Sequence, residues 1–444
     1  MYDASRIESL GKPVAAIVNE EFLNDARSAA SIKGVPALRL VHEKIAPDEK
    51  SMAKIEPRTI DVMDNIIAAL TGALTAEELV PTMEEERPAR IVFRGDLQEV
   101  NQFFYRRGWG DGLPIYPSTE EAVAEMLTGT DLPAEHVVAK IIPRLGKATV
   151  EKIAINAVMA GALPTHMPVL IAAVQAIVDP EAYFGLFEVS TCSFAPFLVV
   201  NGPIRRELNI NCSSGTLSPG DIANSAIGRA LSLIIKNVGG ARKGVEDMGA
   251  HGNPGKHGMV VAENEEASPW EPLHVEQGLS GDDSAVSLVF SRGYYALPAY
   301  GTEPQDILQT VIYNVPPDRP GTLCVLMNRT YAEIMAEAGW TKQDVKEFIA
   351  EHTRSPLYQY NAIFAERDPK ARYPLKAMDS IGLFTSPQDI TICVSGGPGN
   401  FLGLTLTGHS WKRPRPVTRK VETPKNWEQV VRKYQNLVPR YARY

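Results

Sequence analysis

The chain has 444 residues, a formal charge of −8, 44% apolar and 22% charged residues. That length exceeds one simple core and predicts two or three domains, and the ordinary composition excludes a disordered or fibrous chain. The acidic balance argues against a dedicated nucleic-acid binder.

No run of about eighteen apolar residues appears, so no membrane span is expected. The first residues mix Asp3, Arg6 and Glu8 with small side chains and lack the apolar segment of a signal peptide. Four cysteines, Cys192, Cys212, Cys324 and Cys393, are too sparse for a disulfide framework, and none is spaced C-x-x-C. A soluble protein of the reducing cytoplasm is the expectation.

In chain order, Val14–Val18 predicts a strand ending at Asn19, and Glu20–Lys33 a helix stopped by Gly34. Leu38–Val41 reads as a second strand and Ile60–Leu74 as a helix. The acidic run Glu84-Glu85-Glu86 between Pro81 and Pro88 reads as a linker, with a domain boundary near residue 90. The glycine-dense loop Gly108-Trp-Gly-Asp-Gly-Leu-Pro114 follows, then amphipathic helices at Val150–Ala162 and Pro168–Val178. Phe197–Val200 is a short buried strand closing on the turn Asn201-Gly202-Pro203. Ser218-Pro219-Gly220-Asp221 predicts a helix start with Ser218 as cap, running to about Asn237 and ending at Gly239-Gly240. Further on, Thr322–Met327 predicts a strand, Tyr331–Ala338 and Thr341–Glu351 helices, and Ile390–Val394 a strand entering Ser395-Gly-Gly-Pro-Gly399.

Three strands close on asparagine (Asn19, Asn201 and Asn328), which fits either an internal duplication or the ordinary use of asparagine in turns. Strands alternating with helices predict an α/β fold with mixed or mostly parallel sheets. The expected division is a small α/β half-domain with its linker at 1–90, a large α/β domain at 91–410, and a basic extension at 411–444. That extension carries ten Lys or Arg against two Glu; it reads as a surface lying on the acidic body or a neighbouring subunit, with RNA binding the lesser alternative.

Two stretches together resemble a known family. Tyr2–Pro13 with Val14–Phe22 resembles the second half of the UGSC family, named for a selenocysteine (or cysteine)-Gly-Ser-Cys motif just upstream of this region. Gly108–Thr119, Thr149–Pro164, Val200–Leu208, Ala223–Gly240 and Glu263–Gly278 resemble the long domain found with it. The motifs that carry this likeness are Gly108-Trp-Gly-Asp-Gly-Leu-Pro114, Asn201-Gly-Pro203, Ile227-Gly-Arg-Ala230 and Glu263-Asn-Glu-Glu-Ala-Ser-Pro-Trp270. The resemblance implies kinship more than a named chemistry. The chain has no Cys-Gly-Ser-Cys, and it starts about where that motif would end. Either the motif is lost or a partner polypeptide supplies it, which predicts a hetero-oligomer with a UGSC-motif subunit, or else a homo-oligomer.

The densest polar segment is Glu246–Glu276, with Glu263 and three of the eight histidines, His251, His257 and His274. It reads as a metal site built on His251, His257 and Glu263 with a divalent transition ion, as a polar substrate loop without metal, or as a structural loop. Trp109 could lie over a ligand while Asp111 serves as acid or base, or the loop is a plain turn. Gly396 and Gly397 could cradle an anion, or form a turn. Cys192 is a nucleophile or a small buried side chain. Arg229 pairs with a structural carboxylate or holds a substrate anion.

The leading expectation is a small-molecule enzyme subunit performing lyase or redox chemistry at a carbon–heteroatom bond. Asp111, His251, Glu263 and Cys192 would be catalytic, and Trp109, Arg229, Asn201, Gly396 and Gly397 would bind substrate. The alternatives are a metal-dependent hydratase or hydrolase using His251, His257 and Glu263, and a non-catalytic scaffold subunit.

Overall fold

The computed structural model describes residues 2–23, 26–27, 30, 35, 37–44, 51–73, 75, 89–188, 190–317, 321–356, 379–407 and 415–437. The acidic linker, half of the expected helix over 20–33 and the two ends of the basic tail lie outside these residues.

The amino-terminal unit holds helix α1 (Tyr2–Ser9), strands β1 (Ala16–Asn19) and β2 (Leu40–Glu43), and helix α2 (Met52–Thr71). The two strands pair in parallel. Ala30, Val35 and Leu38 bury beside Leu40. Arg39 donates to the carbonyls of Ala69 (2.6 Å) and Gly72 (2.8 Å), so a cation satisfies the unpaired carboxyl end of α2.

The large domain begins with α3 (Leu97–Arg106), started by a reciprocal cap in which Asp96 and Glu99 each accept the other's backbone N–H at 2.9 Å. Helix α4 (Glu120–Leu127) and the hairpin β3–β4 (Val137–Ile141 and Gly146–Thr149) follow. Thr149 caps α5 (Val150–Met159), and α6 (Met167–Ile177) is apolar all round because it lies inside the core. Helix α7 (Ile222–Ile234) starts later than Ser218 suggests. Gly220 sits at φ +141° and Asp221 takes the cap position, its carboxylate bonded to Asn211 instead of a helix N–H.

The main sheet runs β11-β8-β12-β7-β5-β6, with β13 also on β7. Its strands are β5 (Ala195–Asn201), β6 (Val260–Ala262), β7 (Ala285–Pro298), β8 (Thr322–Met327), β11 (Ile390–Val394), β12 (Phe401–Thr407) and β13 (Val417–Lys420). A separate antiparallel pair is formed by β9 (Arg354–Pro356) and β10 (Ser380–Gly382). Helices α8 (Pro304–Asn314), α9 (Arg329–Glu337) and α10 (Lys342–His352) cover the second half of the sheet, and α11 (Trp427–Tyr434) closes the described chain.

The sheet is built twice over. In one half β6 lies parallel to β5 on one side and β7 antiparallel on the other; in the second half β11 and β12 flank β8 in the same senses. The halves join antiparallel through β7 and β12. The sheet curls until its two edges touch, the N–H of Asn264 after β6 donating to Val394 O of β11 at 2.7 Å. Both faces are therefore buried. Phe197, Val199, Cys324, Leu326 and Cys393 face the inside. Leu198 and Val200 face α5–α7, and Val325 and Ile392 face α8–α10. This explains the unbroken apolar runs in β5, β8 and β11. The described part of the basic tail belongs to this body: β13 pairs with β7, and Trp427 Nε1 donates to Glu207 at 2.8 Å.

Candidate functional site

Parallel strands leave their carboxyl ends open to loops, and ligands of α/β sheets bind there where neighbouring connections diverge. Here the ends of β5, β6, β8 and β11 converge at the point where the edges touch. Asn201 ends β5 and Glu263 follows β6. Glu263 is 0% exposed, and its Oε2 accepts from Asn201 Nδ2 and from Leu273 N–H, each at 2.7 Å. Its Oε1 has no hydrogen-bond partner among the described residues and lies 3.8 Å from Lys342 Nζ.

Lys342 and Lys346, both buried, reach in from α10. Lys342 donates to Glu271 O at 2.8 Å and lies 3.4 Å from Glu276, and Lys346 bonds Glu276. Two carboxylates from the first half thus meet two ammonium groups from the second. The interior thiols feel this charge. Burial, then Glu263, pushes Cys324 up to about 12, and the same two causes raise Cys393 well above its ordinary value.

A second tier braces the first. Glu265 accepts from Asn201 Nδ2 (3.0 Å) and Gly202 N–H (2.7 Å), and its other oxygen accepts from buried Arg205 at 3.1 Å. Arg205 also forks onto Glu266 at 2.8 and 2.7 Å, and this bond, against burial, carries Glu266 down to about 2.

The residues expected from sequence fall into three places. Asn201 and Glu263 come together as described. Gly396 lies beside them, but its N–H is engaged by Cys212 O at 3.0 Å, and Gly397 packs so closely on Ser214 that a Cβ would come within 2.0 Å of its hydroxyl. The expected anion cradle is therefore a packed turn. Elsewhere, Arg229 takes Asp111 as its partner, and Trp109 packs edge-on against Phe103 and Phe104 at 5.9 and 5.4 Å. A free base, an anion holder and a ligand-stacking ring are not available in that arrangement.

Cys192, His251 and His257 are exposed on a third surface, where Ala250 N–H bonds Thr191 O at 2.9 Å and sets the two turns side by side. The loop is pinned there by Asn253, which donates to Ser193 O and Ser291 O at 2.9 and 3.0 Å, and by the Lys256–Asp247 pair. His251 and His257 therefore do not join buried Glu263. Among the described residues no group of three or more His, Cys, Asp or Glu is arranged to hold a metal ion. Two shallow clefts of about 400 and 460 Å³ lie elsewhere, at Trp427 and at Trp340.

Lys342 and Lys346 escaped the sequence reading. Their signal was present: with Val345 and Ile349 they fall at i, i+3, i+4 and i+7, so two lysines sit on the buried stripe of α10. Residues 1–72 match the UGSC family, and the amino-terminal unit is a UGSC family domain. No curated protein and no solved structure matches the chain.

Proposed function

We propose that the chain is a subunit of a small-molecule enzyme performing lyase chemistry at a carbon–heteroatom bond, with Glu263 moving the proton. One observation carries this reading: a wholly buried carboxylate with one oxygen fixed by two donors and the other turned toward an ammonium group, with no hydrogen-bond partner among the described residues. Glu263 takes the proton from the carbon beside a substrate carbonyl. The C–H electrons become a double bond, and the carbon–heteroatom bond breaks with its pair leaving on the heteroatom, which takes a proton from solvent. Lys342 offsets the charge that develops on the carbonyl oxygen.

Redox chemistry is the weaker branch, because burial holds Cys324 and Cys393 as thiols rather than thiolates. The reading includes a partner subunit or second copy, supported by exposed Ile7, Leu10 and Ile17 on the UGSC domain. A scaffold role has its own support, since two Glu and two Lys balance and could serve only to tie the halves.

The test uses the purified full chain in deuterium oxide with a panel of 3-hydroxy and 3-amino acids, whose heteroatom sits on the carbon next to the one deprotonated, followed by proton NMR. Loss of the α-proton signal, or elimination, is expected for some member and is abolished in Glu263→Gln. Equal rates for wild type and E263Q would sink the catalytic reading and leave the scaffold.

A further inference from the structure

We infer that Asn201 is a positioning residue that orients the Glu263 carboxylate through its amide N–H groups. The inference rests on the role given to Glu263 above, and three observations support it.

The first is occupancy. The Asn201 amide nitrogen donates to Glu263 Oε2 at 2.7 Å and to Glu265 Oε1 at 3.0 Å, so both its N–H groups are engaged by carboxylates. A substrate cannot use those donors without displacing one of them. The second is direction. With Asn201 and Leu273 N–H both on Oε2, the carboxylate is fixed about its last torsion and presents Oε1 alone. Glu265 is in turn held by Gly202 and Arg205, so Asn201 is anchored from behind.

The third is recurrence. In the UGSC domain Asn19 ends β1, stands opposite Glu43 of the parallel strand β2, and donates to its Oε1 at 3.0 Å. In the large domain Val200 is opposite Ala262, so the next residues, Asn201 and Glu263, stand in the same relation. The partners are 24 positions apart in one case and 62 in the other. Crossovers of very different length thus deliver the same pair to the same strand end. The third parallel pair departs from it: Asn328 stands beyond the Met327–Val394 pairing, where Ser395 faces it, and its amide donates to Gly399 O and Phe401 O.

The charged groups around Glu263 are Lys342 at 3.8 Å, Glu276 and Lys346 behind it, and Glu265 across the shared amide, with the thiols of Cys324 and Cys393 on the inner face. None of them donates to Oε2, so among the described residues Asn201 and Leu273 alone set that oxygen.

The experiment uses the full chain labelled with ¹³Cδ-glutamate, comparing wild type, Asn201→Ala, Asn201→Gln and E263Q, with Asn201→Ser as a smaller donor should N201A not fold. Each protein is differenced against the same protein carrying E263Q, which isolates the Glu263 carboxylate band from that of Glu265 without any substrate. N201A should move that band and N201Q bring it part of the way back; an unmoved band overturns the inference. In the deuterium-exchange assay N201A should lower kcat roughly tenfold to a hundredfold, the loss expected from one hydrogen bond to a charged group, with KM unchanged. A raised KM with unchanged kcat would make Asn201 a substrate contact. If wild type shows no exchange, the role of Glu263 fails while the infrared result still decides that of Asn201.

Discussion

Arg229 grips Asp111 at two points, Nε to Oδ2 at 2.7 Å and Nη2 to Oδ1 at 2.9 Å, across 118 positions of chain. The same guanidinium donates to Pro114 O at 2.9 Å, and Asn237, further along the same helical segment, donates to Trp109 O at 3.0 Å. The glycine loop at 108–114 is therefore latched along α7 and its continuation by planar, multi-donor side chains. Burial acts to raise the Asp111 carboxyl, but the Arg229 bond and charge outweigh it and hold the group below the usual carboxylate range.

Breaking that latch from one side leaves a half-buried charge unpaired. Asp111→Asn or Arg229→Met alone should cost about 2–3 kcal/mol, read from urea midpoints. The double variant should lose clearly less than the sum of the singles, because neither charge is then stranded. Strict additivity would show that the pair is not coupled.

Much of the architecture was legible in the sequence because local rules governed it. Thr322–Met327 and Ile390–Val394 are apolar runs with turn residues at their ends, and both are strands over those spans. The helix expected at Thr341–Glu351 forms, capped reciprocally by Thr341 and Asp344. The expectation for Ser218 failed because a glycine at positive φ and the Asn211 side chain, distant partners of no local pattern, reset the helix start. The site was half legible for the same reason. Asn201 closes an expected strand and Glu263 falls in the densest polar segment, so both were singled out, whereas the pairing of Glu263 with Lys342 exists only once the sheet curls and brings its two halves together.

Gly228 shows a case where propensity and packing oppose each other. Alanine in a helix interior is ordinarily favoured over glycine by about 1 kcal/mol. Here a Cβ on Gly228 would sit 2.6 Å from the Cα of Gly258, a backbone atom that cannot step aside. Gly228→Ala should therefore destabilise by about 1–3 kcal/mol, with thermal unfolding as the measure. A raised Tm would show that α7 and the 258 turn are free to separate.

None of the four cysteines is in a disulfide, and their surroundings differ. Cys192 is exposed, Cys212 half-buried, and Cys324 and Cys393 enclosed by the sheet. Maleimide added to the native protein should modify Cys192 first and Cys212 more slowly, and should reach Cys324 and Cys393 only in denaturant. Peptide mass spectrometry reads the order. Native labelling of Cys393 at the rate of Cys192 would show that the curled sheet opens readily.

His166 gives the fold an acid-sensitive point far from the site. It is wholly buried in the turn before α6, its Nδ1 accepts Leu163 N–H at 3.2 Å, and burial pushes its pKa down to about 3 from 6.5. A base whose folded pKa is depressed binds protons more readily when unfolded. Its contribution is therefore complete above about pH 6.5 and is lost as pH falls toward about 3. The loss accumulates at roughly 1.4 kcal/mol per pH unit inside that window. His166→Gln keeps an acceptor for Leu163 N–H and removes the titration. Between pH 7 and pH 5 the wild type should lose roughly 2 kcal/mol more stability than H166Q in urea unfolding. Parallel stability curves for the two proteins would mean that water or a local rearrangement already solvates the ring.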